Sequence, residues 1–121
     1  MFVKNITWLS VEAAEAEVQV TDGVYECVAF SWPCAVAVGD DITEPLHVFD
    51  MRNAKLVQNV QTGIWALDQN SLARRVVAEL VDLDRQIVGV GGIWLIAEET
   101  LPAGIKVGAL LEFDCARLDL W

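Results

Sequence analysis

His47 is the single histidine among 121 residues, so any imidazole chemistry in this chain must pass through one position. Cys34 before it and Asp50 after it supply the residue types of a nucleophile and an orienting carboxylate. Nothing in their spacing forces the three together, and no glycine elbow presents the thiol. A histidine on a half-exposed strand face is the simpler reading. A zinc site would need cysteines or carboxylates to complete one imidazole. The run Gly89-Val90-Gly91-Gly92 lacks the following helix and the lysine of a phosphate cradle, and reads as a strand bend. Asp40-Asp41 with Glu44, and Asp82 with Asp84, offer oxygen ligands, but neither fits the spacing of a calcium loop. Aspartates that bond the backbone of turns account for both. The sequence therefore predicts no catalytic residue, no metal site and no cofactor.

Binding chemistry is better supplied. Five tryptophans are many for so small a chain. Trp94 lies in a strongly apolar strand and is expected in the core. Trp32, Trp65 and Trp121 are the candidates for stacking a sugar or a base, or for an interface, because an indole offers a wide apolar face and one donor. A second candidate surface is an acidic stripe, Glu15, Glu17 and Glu26, interrupted by Val28 and Phe30. Like charges on one strand face are mildly destabilising unless solvated or countered by a cation. Mixed with apolar side chains they make a surface suited to a protein partner.

Charge narrows the partner. The formal net charge is −10, and residues 1–50 hold nine acids and one base. Such a field repels DNA, RNA and anionic membranes and attracts a basic protein. Only a local basic patch, Arg52 and Lys55 with Arg74-Arg75, works against that. Solubility also accounts for the acidity, since 55% of the residues are hydrophobic and mean hydropathy is +0.40. Burial against a partner or a second copy is the other outlet for so apolar a chain. No apolar run reaches the roughly 20 residues of a membrane helix, and the first residues lack a signal-peptide layout, so the expected location is cytoplasmic. Cys27, Cys34 and Cys115 include no CxxC pair. Alternation buries Cys27 and Cys115 and leaves Cys34 the most open.

The elements that must position these residues are strands. Asp22-Gly23 predicts a two-residue type I′ hairpin between residues 13–21 and 24–32. That register sets Val18 opposite Cys27 and places Glu17 diagonally from Glu26. One face, Ala14, Ala16, Val18, Val20, Tyr25, Cys27 and Ala29, is nearly all apolar; the acidic stripe occupies the other. Phe2 to Leu9 reads as a strand with Phe2, Ile6 and Trp8 on one side. Further strands are expected near 35–38, 46–51, 56–60, 64–67, 87–90 and 93–97, and alternation runs through most of 105–121. Residues 71–83 carry both a helical recurrence and a β-branched content; strand is favoured, with at most one short helix near 71–81. Gly91-Gly92 predicts a bend at a barrel corner.

Eight to ten short strands without long helices predict an all-β domain spanning residues 1–121, a single small β-barrel, OB-like (of the oligonucleotide/oligosaccharide-binding type) or a related partly open barrel. The expected function is a non-catalytic binding module that engages a protein partner, basic or its own copy. The alternative is a small-ligand or oligosaccharide-binding barrel using exposed tryptophans. Single-stranded nucleic-acid binding, which an OB-type barrel brings to mind, is disfavoured by the charge.

Overall fold

The computed structural model describes residues 1–121, which form eleven strands and no helix. They are β1 (Phe2–Ser10), β2 (Glu15–Thr21), β3 (Glu26–Ser31), β4 (Leu46–Phe49), β5 (Arg52–Val57), β6 (Gly63–Ala66), β7 (Arg74–Asp82), β8 (Ile87–Val90), β9 (Ile93–Ala97), β10 (Leu110–Cys115) and β11 (Arg117–Leu120). All belong to one mixed sheet in the order β1-β2-β3-β11-β4-β9-β8-β7-β10-β5, with β6 also paired to β7. The sheet is not closed: its ladder begins at β1 and ends at β5. Within residues 71–83, Arg74–Asp82 form strand β7, where Val76, Val77 and Val81 favour a pleated surface over a helix. Residues 35–38 form no strand.

The N-terminal hairpin keeps its predicted faces but not its predicted turn. Val20 opposes Cys27 and Thr21 opposes Glu26, so the loop has four residues, 22–25, and the register moves by two. Side chains cause this. Asp22 Oδ1 accepts the Val24 and Tyr25 N–H groups at 2.8 and 2.7 Å, and Thr21 Oγ1 accepts the Gly23 N–H at 2.9 Å. These bonds give the loop an alternative to a tight backbone turn. A shift of two preserves parity, so Ala16, Val18, Val20, Cys27 and Ala29 are buried as expected, while Ala14 and Tyr25, outside the paired strands, are half-buried. It does separate Glu17, now opposite Phe30, from Glu26, and the expected diagonal contact between the two carboxylates does not form.

The two-residue hairpin of this protein lies elsewhere. Val90 pairs with Ile93, so Gly91-Gly92 is the whole β8–β9 loop rather than a strand bend. Gly91 has φ +58°, the left-handed value that the first position of a type II′ turn reserves for glycine. The Gly92 N–H donates to Asp22 Oδ2 at 2.6 Å, tying this loop to the first hairpin. A side chain at Gly91 would meet Asp22 Oδ2 and the Tyr25 ring at 2.7 Å.

One cluster of apolar residues fills the core, including Phe113, Leu46, Leu95, Leu111, Leu118 and Val18. On β1, a register irregularity between Val3 and Asn5 turns Val3 inward. Phe2 then falls on the face opposite Ile6 and Trp8, not with them as the plain alternation predicts. Cys27 and Cys115 are buried, and loss of water pushes their thiols up to about 12 and about 11. Both are inert in the folded protein, since the thiolate is the reactive form. An aromatic disulfide reagent at pH 8 is expected to titrate one thiol, Cys34, within minutes and all three only in denaturant. Fast reaction of two or three native thiols would refute the packing of the core around Cys27 and Cys115.

Candidate functional site

The outer face of the sheet carries the polar and aromatic residues. It is built around β11, the strand lying between β3 and β4. Parallel pairing sets Leu118 beside Ala29, Asp119 beside Phe30 and Leu120 beside Ser31. One residue further on, that register brings Trp121 beside Trp32. On the other side, antiparallel pairing sets Arg117 opposite Phe49 and Asp119 opposite His47. Leu118 and Leu120 point into the core, so Arg117, Asp119 and Trp121 point out.

Each outward residue of β11 has a defined partner. The Arg117 guanidinium lies 4.8 Å from the Phe30 ring centre and 4.4 Å from that of Phe49, a cation held between two rings. Its Nε donates to Asp119 Oδ1 at 2.7 Å, and Asp119 is a buried acid. Each cation–ring contact at such a half-exposed position contributes on the order of 0.5–1 kcal/mol. The Trp121 indole stacks on His47, with ring centres 3.7 Å apart and planes 10° from parallel. His47 Nδ1 is in turn 2.7 Å from Glu98 Oε1. Phe30, Trp32, Phe49, Glu98, Trp121 and the Arg117–Asp119 pair line one cleft of about 370 Å³. Trp32 is 62% and Trp121 80% exposed, so their outer faces are free.

Two of the three tryptophans named as stacking candidates, Trp32 and Trp121, thus meet in this cleft, together with Phe30 from the proposed partner face. Trp65 does not. It lies on β6 opposite Arg75, and its indole covers Gly63, where a Cβ would come within 2.5 Å of the ring. Trp94 is corrected outright: it is 42% exposed, while its neighbours Ile93 and Leu95 are the buried residues of β9.

The acidic stripe is less open than its sequence implies. Glu26 is bound by Lys4 Nζ and by Gln19 Nε2 at 2.8 Å. The Lys4 hydrogen bond, with the Lys4 charge and the Gln19 hydrogen bond, holds its carboxyl below the usual range against the opposing effect of desolvation. Lys4 is thus the internal counter-cation of the stripe. Glu15 is half-buried. Glu17 and Val28 line a second cavity, about 540 Å³, with Arg74, Arg117 and the 69–72 loop. That cavity is mostly polar and lacks an aromatic face.

The other chemistry considered in the sequence is dispersed. His47 pairs with Glu98, and Asp50 with Arg52 at 3.0 Å, so Cys34, His47 and Asp50 do not form a catalytic trio. Asp40 accepts the Ala37 N–H and Asp82 the Arg85 N–H, as turn aspartates do. No group of three His, Cys, Asp or Glu side chains is arranged to hold a metal ion. The basic residues weighed for nucleic acid are already occupied. Arg52 pairs with Asp50, Lys55 with Glu112 and Arg75 with Asp114, and Arg74 donates to the Ser71 and Ala73 carbonyls.

Sequence reasoning missed Arg117, Asp119, Glu98 and Phe49. Unbroken alternation from Leu111, Phe113 and Cys115 puts Arg117, Asp119 and Trp121 on the buried face; the break at Ala116 between β10 and β11 reverses the parity, so Leu118 and Leu120 are buried instead. The meeting of Arg117 and Trp121 with Phe30 and His47 has no local signal. No family model matches the chain, and no curated protein or solved structure does either.

Proposed function

We propose that this protein is a non-catalytic interaction module that engages a basic protein partner through the outer face of β3, β11 and β4. The observation that carries this reading is the cleft itself. Two open indoles, Trp32 and Trp121, share a cleft with the carboxylates of Asp119 and Glu98 on a molecule of net charge −10. Aromatic anchors flanked by charge are the composition of a recognition surface, and the acidic field steers basic partners toward it. Glu15, Glu17 and Val28 extend the face, and Phe30 joins it to the cleft; Glu26, already paired with Lys4, contributes mainly to the field.

Finer points of the fold and setting belong to the same proposal. A partly open barrel of OB-like character is supported by the strand path β4-β9-β8-β7-β10, which returns through Ala116 to β11 beside β4. Three free thiols suit a reducing, cytoplasmic compartment. Nucleic acid is disfavoured by the net charge and by the pairing of Arg52, Lys55 and Arg75 within the fold.

A second reading has its own support. Two exposed indoles, Trp32 and Trp121, line the same cleft and offer aromatic faces on which a sugar ring can stack, with Arg117 and Asp119 beside them for hydroxyls. Titration calorimetry decides between the two. A lysine- and arginine-rich peptide of about 20 residues is expected to bind at low salt and to weaken by an order of magnitude or more near 0.3 M salt. Trp32→Ala with Trp121→Ala is expected to remove most of that binding. Equal binding by the double variant would end the claim on this cleft, and binding of a neutral oligosaccharide in place of the peptide would favour sugar stacking.

A further inference from the structure

We infer that the Trp32–Trp121 cleft is a receptor for one guanidinium group of the partner, seated on the indoles and neutralised by Glu98. This rests on the reading of the face as a surface for a basic protein, and adds the chemical group recognised. The molecule already contains the same arrangement once. Arg117 lies between the Phe30 and Phe49 rings with its Nε on Asp119, all from the same face. A planar cation between aromatic walls with a carboxylate at its edge is therefore a geometry this sheet builds.

The neighbouring position repeats the aromatic and carboxylate components, and the one cation that lines the cleft, Arg117, is already paired with Asp119. Trp32 and Trp121 extend the register that pairs Phe30 with Asp119, and their exposed faces share a cleft with Glu98. Glu98 reaches into it with one oxygen on His47 Nδ1 and is half-open to solvent, its side chain 53% exposed. Its second oxygen is available to a donor. Asp119, by contrast, is already committed to Arg117. The His47 stack fixes Trp121, which lowers the entropy lost when a ligand settles on its other face.

Guanidinium fits better than ammonium. It is planar and weakly hydrated, so it lies flat on an indole while its edge donates to a carboxylate. An ammonium keeps more of its water and presents no flat face. A neutral sugar would use the indoles but gain nothing from the charge of Glu98.

The experiment compares hexa-arginine, hexa-lysine and hexa-citrulline peptides by titration calorimetry at low salt. Citrulline keeps the shape of arginine without its charge. Hexa-arginine is expected to bind several-fold more tightly than hexa-lysine, and hexa-citrulline at least tenfold more weakly than hexa-arginine. Trp121→Ala is expected to weaken hexa-arginine at least fivefold, Trp121→Phe to recover most of that loss, and Glu98→Gln to weaken it several-fold. The thermal midpoint of each variant confirms that it is folded. Equal affinity for hexa-arginine and hexa-lysine, unaffected by Trp121→Ala, would overturn the receptor and leave the basic-partner reading standing. Absence of binding by either cationic peptide would overturn both.

Discussion

Leu118→Ala is expected to lower the free energy of unfolding by about 3 kcal/mol, within the range for a large aliphatic side chain removed from a packed core. Leu118 is fully buried on the short strand that joins β3 to β4. The cavity would open in the single packed core, beneath a strand held by backbone pairing on both sides, where collapse to fill it is limited. Urea unfolding of the variant should show an unchanged dependence on denaturant and a lower midpoint. Trp121→Ala, three residues on and facing out, is the matched control. It loses a stacking contact with His47 of about 1 kcal/mol at most. Similar losses at the two positions would contradict the assignment of β11 faces on which the binding cleft depends.

Asp22→Asn is expected to cost about 2 kcal/mol at pH 7, the scale of charge-assisted hydrogen bonds left poorly made. The carboxylate accepts three backbone N–H groups, from Val24, Tyr25 and Gly92. An amide would turn a donor toward one of them. Partial desolvation raises the carboxyl group, but the hydrogen bonds from Tyr25, Gly92 and Val24 outweigh it and hold Asp22 below its usual value. A depressed carboxyl contributes stability above its unfolded value, about pH 4, and loses that contribution as pH falls through the folded value. The gap between wild type and Asp22→Asn should therefore be constant from pH 5 to 7 and narrow below about pH 4. A gap that persists undiminished at pH 2 would show that the charge of Asp22 is not what ties the two loops.

Much of the inward and outward assignment was legible in the sequence because a strand repeats every two residues. Val18, Cys27, Phe113 and Cys115 fall on the buried parity of their strands, and the register error of two in the first hairpin leaves Val18 and Cys27 on their correct face. The same error was enough to misplace Glu17 relative to Glu26, since contacts across a ladder depend on register and faces do not. The loop was misjudged because Asp22 and Thr21 use their side chains to close four residues where Asp-Gly alone implies two. Trp94 was misjudged for another reason: the apolar run 93–97 hides an alternation in which Trp94 and Ile96 face out. The cleft was legible only as parts. Trp32 and Trp121 were visible as open aromatics, but their adjacency follows from a parallel pairing between strands far apart in the chain. Glu98 reaches His47 for a like reason, because β4 and β9 are parallel neighbours.

The position of β11 also sets the order in which the molecule can be assembled. During synthesis β1, β2 and β3 leave the ribosome first and can pair with one another at once. Their only strand neighbour in the rest of the sheet is β11, which emerges after all ten other strands. Until then the inner side of the first hairpin, Val18, Val20 and Ala29, has no strand layer joined to it through β3. Such late, distant closure slows folding and lengthens the time for which a sticky strand edge is available to other chains. Glu12, Glu15, Glu17, Asp22 and Glu26, against Lys4 alone, fall on that waiting segment, where mutual repulsion between nascent copies would keep them apart.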